Sequence, residues 1–293
     1  MRLAHATDLH WLSPPPLRRL LGKRLIGSAN LYLNGRRHHF NAEVQAAAVA
    51  QLLAMNADAV ILTGDLTAQA LPEEFEAAKV ALQPLLDRLP TLVQCGNHDV
   101  YTRGARRDRR MEATFGPWMH LRPDGLAAWS QPGLTVVGLD PNRPHLLASG
   151  VVPEAQLAAL PAALAAAPAD HALVLALHYP LLDRHGAVYD HWEHGLRNAR
   201  ALIDVLRASP RRPDAILHGH VHHGYRAALD LGDVVIPTFN PGSGGYAWRP
   251  AEDRAAAVNV YTLNAGQPVQ VERFRFDGER FAPEAGGAYA SGR

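Results

Sequence analysis

Seven residues in this 293-residue chain are of types that bind transition metals through oxygen or nitrogen: Asp8, His10, Asp65, Asn97, His178, His220 and His222. Each stands where a short apolar run rich in β-branched residues or Leu gives way abruptly to polar residues, in the segments DLH, GDLT, GNHD, HYP and HGHVHH. A hydrolytic centre built on two cations needs a bridging carboxylate, further ligands for both ions, and coordination positions left for solvent and substrate. Asp8 and His10, two apart just beyond a strand, can turn toward one cation. Asp65, after Gly64, is suited to bridge, and Asn97 adds a neutral amide oxygen. Three oxygen donors, four imidazoles and no sulfur suit Mn, Fe, Zn or Co better than Mg or Ca.

Positioning such a set is the task of the surrounding elements. The patterns predict strands near 2–7, 58–63, 91–95, 134–139, 172–177 and 214–217, alternating with helices at about 42–55, 72–88, 154–167 and 196–208. Helices covering a sheet bring ligand sites to the carboxyl ends of the strands, so the polar motifs should converge. After residue 224 come strands without helices, in DVVIPTF, AAVNVYTL and VQVERFRF, which either form a second sheet or extend the first. One domain over 1–275 is expected, with a loosely ordered Gly- and Ala-rich tail at 276–293.

The motif order DxH, GD, GNHD, H, GHxH resembles the calcineurin-like metallophosphoesterases. It stands here as Asp8-Leu9-His10, Gly64-Asp65, Gly96-Asn97-His98-Asp99, His178 and Gly219-His220-Val221-His222. The resemblance implies an α/β fold, a two-sheet αββα sandwich, and two divalent metals, with Mn and Fe favoured. It assigns Asp8, His10 and His222 to one metal, Asn97, His178 and His220 to the other, and Asp65 as bridge. It further implies that a metal-bound hydroxide attacks phosphorus and that His98 protonates the leaving oxygen. Asp99 is then expected to orient His98 and keep it cationic. The chain lacks the GDxVDRG and GNHE blocks of the phosphoprotein phosphatases. It looks most like the class III cyclic-nucleotide phosphodiesterases, to which Gly150 and Gln156 also point. A small nucleotide-type diester is the expected substrate. A pyrophosphatase of the UDP-diacylglucosamine type and a non-catalytic scaffold are the alternatives.

Composition narrows the partners. Lys and Arg number 29 against 28 Asp and Glu, so no overall field recruits nucleic acid, and specific nucleic-acid binding is not expected. One cysteine, Cys95, excludes an internal disulfide, and Asp8 comes too early to follow a cleavable signal peptide; a cytoplasmic location is expected. The segment 14–40 interleaves Leu17, Leu20, Leu21, Leu25 and Ile26 with Arg18, Arg19, Lys23 and Arg24. It reads as a packed helical insertion, a substrate lid or a peripheral contact with an anionic inner membrane face. Arg103, Arg106, Arg107, Arg109 and Arg110 either bind phosphate or form a solvated helix face. His5 is expected to be packed and hydrogen-bonded beneath the site, and His185, His191 and His194 to lie in a solvated loop near the cleft.

Overall fold

A computed structural model of the chain describes residues 1–16, 25 and 36–290. Most of the basic segment 14–40 therefore lies outside the described residues. Among the described residues, twelve strands make two six-stranded sheets. In the first, β1 (Arg2–Ala6), β2 (Ala59–Leu62) and β3 (Thr91–Val93) run parallel, and β10 (Ala257–Thr262), β11 (Gln270–Phe276) and β12 (Phe281–Pro283) continue it antiparallel in the order β12-β11-β10-β1-β2-β3. The second runs β4 (Ala127–Gln131), β5 (Leu134–Gly138), β6 (Ala172–Ala176), β7 (Ala215–Leu217), β9 (Val235–Asn240) and β8 (Tyr225–Asp230).

The period-two alternation of the strands decides what lies on each face. On β6, Ala172, Val174 and Ala176 join Leu3, Ile61, Leu92 and Tyr261 in a core between the sheets, while Leu173 and Leu175 point the other way. That other face is covered by α5 (Glu154–Ala165) and α6 (Ala199–Ala208), which bury Leu160, Leu164, Leu202 and Leu206. On the first sheet Ala4, Val60 and Leu62 face α1 (Ala42–Ala54), α2 (Pro72–Leu86) and α4 (Arg110–Met119) through Leu52, Phe75, Leu82 and Phe115. A short α3 (Arg103–Arg107) precedes α4. The expected αββα sandwich is the observed one.

Local chemistry fixes the helix starts. The Asn41 side chain accepts from the Glu43 amide at 2.8 Å to open α1. Pro72 opens α2, where buried Glu74 takes the amides of Gln69 and Leu71 at 2.8 and 3.0 Å.

The strands after residue 224 do both things the sequence allows: β8 and β9 complete the second sheet, and β10 to β12 extend the first. Of the tail expected to be loosely ordered over 276–293, the described residues to 290 are tied down. β12 pairs with β11, and Glu284 makes a buried ion pair with Arg273 at 2.9 Å. Tyr289 is buried, its hydroxyl donating to the Asn240 carbonyl and accepting from Asn259 Nδ2. Low hydrophobicity hid a segment that is ordered by polar partners. Among the described residues no helix is long and apolar enough to cross a membrane.

Candidate metal centre

All seven donor residues lie past the carboxyl ends of parallel strands. Asp8 and His10 follow β1, Asp65 follows β2, Asn97 follows β3, His178 follows β6, and His220 and His222 follow β7. Both sheets thus deliver side chains to one edge. The loops that carry them are tied together: the amides of Asp8 and His10 donate to the carbonyls of Gly64 and Asp65, each at 3.0 Å. Gln45 of α1 donates to the carbonyls of Leu9 and His10, and Ser243 to that of Asp8. Asp8, His10, Asp65, His220 and His222 all have φ between 53° and 78°, a left-handed conformation costly for these residues and characteristic of functional loops. Gly219 is required by close approach, since a Cβ there would collide with Thr7 Oγ1.

The ligand atoms converge in two groups that share one residue. Asp8, His10, Asp65 and His222 form one; Asp65, His178 and His220 form the other, with ligand atoms within 4.8 Å of one another in each. Asn97 Oδ1 lies 3.1 Å from His178 Nε2 and 2.9 Å from His220 Nδ1. Each aspartate has one oxygen satisfied and one not. Asp8 Oδ2 accepts from Thr7 Oγ1 and the His220 amide, and Asp65 Oδ1 from the His98 amide at 2.7 Å. Asp8 Oδ1 and Asp65 Oδ2 are buried without a hydrogen-bond donor. Asp8 Oδ1 faces His222 Nε2 at 3.2 Å, and Asp65 Oδ2 lies 3.3 Å from His178 Nε2 and 3.7 Å from His10 Nε2.

Backbone carbonyls select the tautomers. His178 Nδ1 bonds the Thr63 carbonyl at 2.8 Å, His10 Nδ1 that of Thr67 at 3.3 Å, and His220 Nε2 that of His194 at 2.8 Å. The nitrogens left over, Nε2 of His178 and His10 and Nδ1 of His220, are the ones that face the carboxylates and Asn97. A buried collection of acceptors with so few protons fits a cation. Without one, charge accumulates: burial opposes protonation of His178, but the charge of Asp65 3.3 Å away, with Asp8 beyond, pushes it up to about 9. Burial, with His178 beside it, instead holds His220 well below the ordinary imidazole value.

His98 and Asp99 behave differently from each other and from the seven. The His98 ring is partly buried, its Nδ1 2.6 Å from the Ala68 carbonyl and its centroid 4.8 Å from that of His10. Burial pushes His98 down to about 4, with His10 and His222 adding to the effect against the pull of Asp65. Asp99 does not touch that ring. Its carboxylate accepts from the amides of Leu66, Thr67 and Gly96 and from Thr67 Oγ1. The expectation that Asp99 orients His98 and keeps it cationic is therefore corrected: Asp99 clamps the loop after β2 to the loop after β3. Burial, then the charge of Asp65, pushes its carboxyl up to about 7 against those donors.

Other expectations resolve by partner. Arg106 pairs with Asp140, Arg107 and Arg110 with Asp108, and Arg109 with Glu112, so four of the five arginines after GNHD belong to a helix surface. His5 is fully buried between Tyr261 and Thr63. His218 and His223 join neither donor group. Sequence reasoning missed the aromatic enclosure: the rings of Tyr179 and His194 lie tilted against His220 at 4.3 and 4.2 Å between centroids, and Phe40 against His10 at 4.3 Å. Tyr179 follows His178 directly, the one adjacency that could have flagged it; no spacing signals His194 or Phe40.

A family profile described as calcineurin-like phosphoesterase matches residues 1–224. Two curated relatives, both described as probable cyclic nucleotide phosphodiesterases, are each 34% identical to the chain. The one from Rhodopseudomonas palustris aligns over 62% of this chain and 63% of its own length. The one from Rhodococcus erythropolis aligns over 59% and 54%. The matched part thus spans less than two thirds of either relative. Among solved structures, purple acid phosphatase PPD1 from yellow lupin seeds superposes with a TM-score of 0.60 at 13% identity, over 96% of this chain and 52% of that one. A PhoD structure gives 0.59 at 10% identity, over 98% and 72%. These two share the fold. With the profile covering more than half its length, and five motif blocks gathered at one edge of two sheets, the chain belongs to the calcineurin-like phosphoesterase family, which uses divalent metals.

Proposed function

We propose that the chain is a phosphoester hydrolase with a dinuclear centre, acting as a phosphodiesterase on a small nucleotide-type diester. The observation that carries this reading is the pair of donor groups joined at Asp65, with two buried carboxylate oxygens lacking any donor. Asp8, His10 and His222 would hold one cation, Asn97, His178 and His220 the second, and Asp65 both. The mixed oxygen and nitrogen donors favour transition metals, Mn or Fe first. Such cations, when bound, lower the pKa of a water nucleophile and stabilise negative charge on phosphoryl oxygens.

The residues supply the rest. The carbonyls of Thr63, Thr67 and His194 hold three imidazoles in the ligating tautomer. Asp99 keeps Asp65 and Asn97 in register by binding both of their loops. His98 has Nδ1 committed to Ala68, which leaves Nε2 for proton transfer. In the free chain it is neutral near pH 7; an anionic ester beside it favours the protonated ring, and Nε2 then gives its proton to the leaving oxygen. The diester class is supported by the relatives' descriptions.

The test is turnover of bis-p-nitrophenyl phosphate by chain reconstituted with Mn or Fe, followed by cyclic nucleotides, monoesters and nucleotide-diphospho lipids. His98→Ala is expected to keep its metal content and lose ~10²- to 10⁴-fold in rate. Absence of diester turnover by metal-loaded chain would overturn the phosphodiesterase reading. Preference for the diphospho lipid would replace it with the pyrophosphatase. An unchanged rate in His98→Ala would remove that residue from the chemistry.

A further inference from the structure

Beyond the donor residues lies a groove that the chemistry above does not use. Its inner part, about 350 Å³, is lined by His220, His222, Tyr246, His223 and Arg254 among others. An outer part of about 780 Å³ is lined by Arg184, Arg226 and Tyr225 among others. His223, Asp253 and Arg254 line both parts, so the two adjoin. Arg254 is fixed at the junction: it donates to the Tyr246 hydroxyl at 2.8 Å and lies over that ring at 5.7 Å from its centroid.

The charges of the outer part do not cancel locally. Its two carboxylates are already engaged by arginines, Asp253 by Arg275 at 3.2 Å and Glu252 by Arg249 at 3.1 Å. Arg184 and Arg226 are both exposed, and among the described residues neither has a carboxylate within ion-pair distance. Arg184 Nε meets only the ring of its neighbour His185, at 3.1 Å. Two unneutralised guanidinium groups in a concave wall that opens onto a phosphoester centre form a site for a second anion, and their planar forks match phosphate.

We propose that the outer groove binds a second phosphate carried by the substrate, with Arg184 and Arg226 as its docking cations and Arg254 as the positioning residue between it and the reacting ester. The inference rests on the phosphodiesterase reading and narrows its substrate to diesters bearing a further phosphate. The ester that reacts is then selected by what is attached to it. Small diesters without that phosphate would be turned over at the same centre with higher KM.

Two matched probes separate these ideas: the 5′-(p-nitrophenyl phosphate) of thymidine, and the same compound carrying a 3′-phosphate. With metal-loaded chain, the 3′-phosphorylated probe is expected to show a KM lower by on the order of tenfold. The double variant Arg184→Ala, Arg226→Ala should erase that difference and leave the simple probe unchanged. Calorimetry with thymidine 3′,5′-bisphosphate gives a second readout, its affinity falling in the double variant while that of thymidine 5′-monophosphate stays. Both arginines are exposed, so the variant should fold as the parent does. Equal KM for the two probes, or a double variant that still discriminates, would overturn the subsite while leaving the phosphodiesterase reading standing. If neither probe is turned over but the bisphosphate binds in an Arg184- and Arg226-dependent way, the reaction assignment fails and the anion site survives.

Discussion

The two donor groups of the candidate metal centre, taken as its two halves, are built to different standards. In the half made by Asp65, Asn97, His178 and His220, both imidazoles have their second nitrogen on a backbone carbonyl at 2.8 Å, and the rings of Tyr179 and His194 close over His220. In the half made by Asp8, His10, Asp65 and His222, the bond from His10 to Thr67 is longer, at 3.3 Å. His222 keeps 25% of its side chain exposed, and among the described residues nothing bonds its Nδ1. One half is preformed and largely sealed, with only His220 and its exposed cover His194 reaching the groove; the other is open at His222, which lines the same groove. Solvent can therefore reach the centre past His222, away from the fully buried His178. Among the donor residues only Asp65 belongs to both groups, its Oδ2 lying 3.3 Å from His178 Nε2 and 3.7 Å from His10 Nε2.

Removing that atom should break the comparison most completely. Asp65→Asn keeps an Oδ1-type acceptor for the His98 amide but takes a charge from both halves, so metal content should drop at both. Turnover should fall by at least ~10²- to 10³-fold, the scale of one lost electrostatic stabiliser. By contrast, His222→Ala should empty only the open half. Metal content by mass spectrometry beside turnover decides between them; an Asp65→Asn chain with two metals and its full rate would sink the shared role.

A smaller perturbation addresses the seal alone. At Gly150 an added Cβ would stand 2.6 Å from the ring of Tyr179, which is fully buried and cannot retreat. Gly150→Ala should cost about 1–3 kcal/mol by overpacking. By leaning Tyr179 on His220 it should weaken metal retention in the sealed half and spare the open one. Urea unfolding and metal retention under chelator measure the two effects; a variant equal to the parent in both would mean Tyr179 is not a fixed cover.

Gly150 also illustrates how far the sequence could be read. With Gln156 it marked a resemblance only, and the packing supplies the reason: Gly150 makes room for Tyr179, while Gln156 accepts from the Asp140 amide and donates to the Gly125 carbonyl. The donor residues were legible because metal chemistry restricts their types, and the strands that carry them because buried parallel strands are apolar throughout. Elements whose sequence argues against them were not. Gly116-Pro117 reads as a break, yet α4 runs through it, because Met111, Phe115 and Met119 pack onto the first sheet's helical layer. Ala127–Gln131 carries few strand-forming residues and is an edge strand held by its pairing with β5. The tail escaped because ion pairs and hydroxyl bonds across sheets leave no local pattern.

The last and smallest test probes what stands behind the sealed half. Thr63, whose carbonyl orients His178, receives His5 Nε2 on its hydroxyl at 2.8 Å, and His5 Nδ1 meets the Tyr261 hydroxyl at 3.1 Å. Burial, with His218 adding and Asp8 opposing, pushes His5 from 6.5 down to about 3. The unfolded chain therefore binds a proton below pH 6.5 that the folded chain refuses. The stability that neutral His5 contributes is complete above pH 6.5 and declines as pH falls toward 3, by at most about 1.4 kcal/mol per pH unit. His178, raised to about 9, works in the opposite sense: in metal-free chain its contribution is complete below 6.5 and is lost as pH rises through 9. Both parent and His5→Gln carry that term, so it cancels in their difference. Urea titrations of metal-free protein at pH 6.5 and 5.5 should show the parent losing about 1 kcal/mol more than His5→Gln over that interval. Parallel losses would mean that His5 is not held neutral, and that the sealed half lacks the dry backing its burial implies.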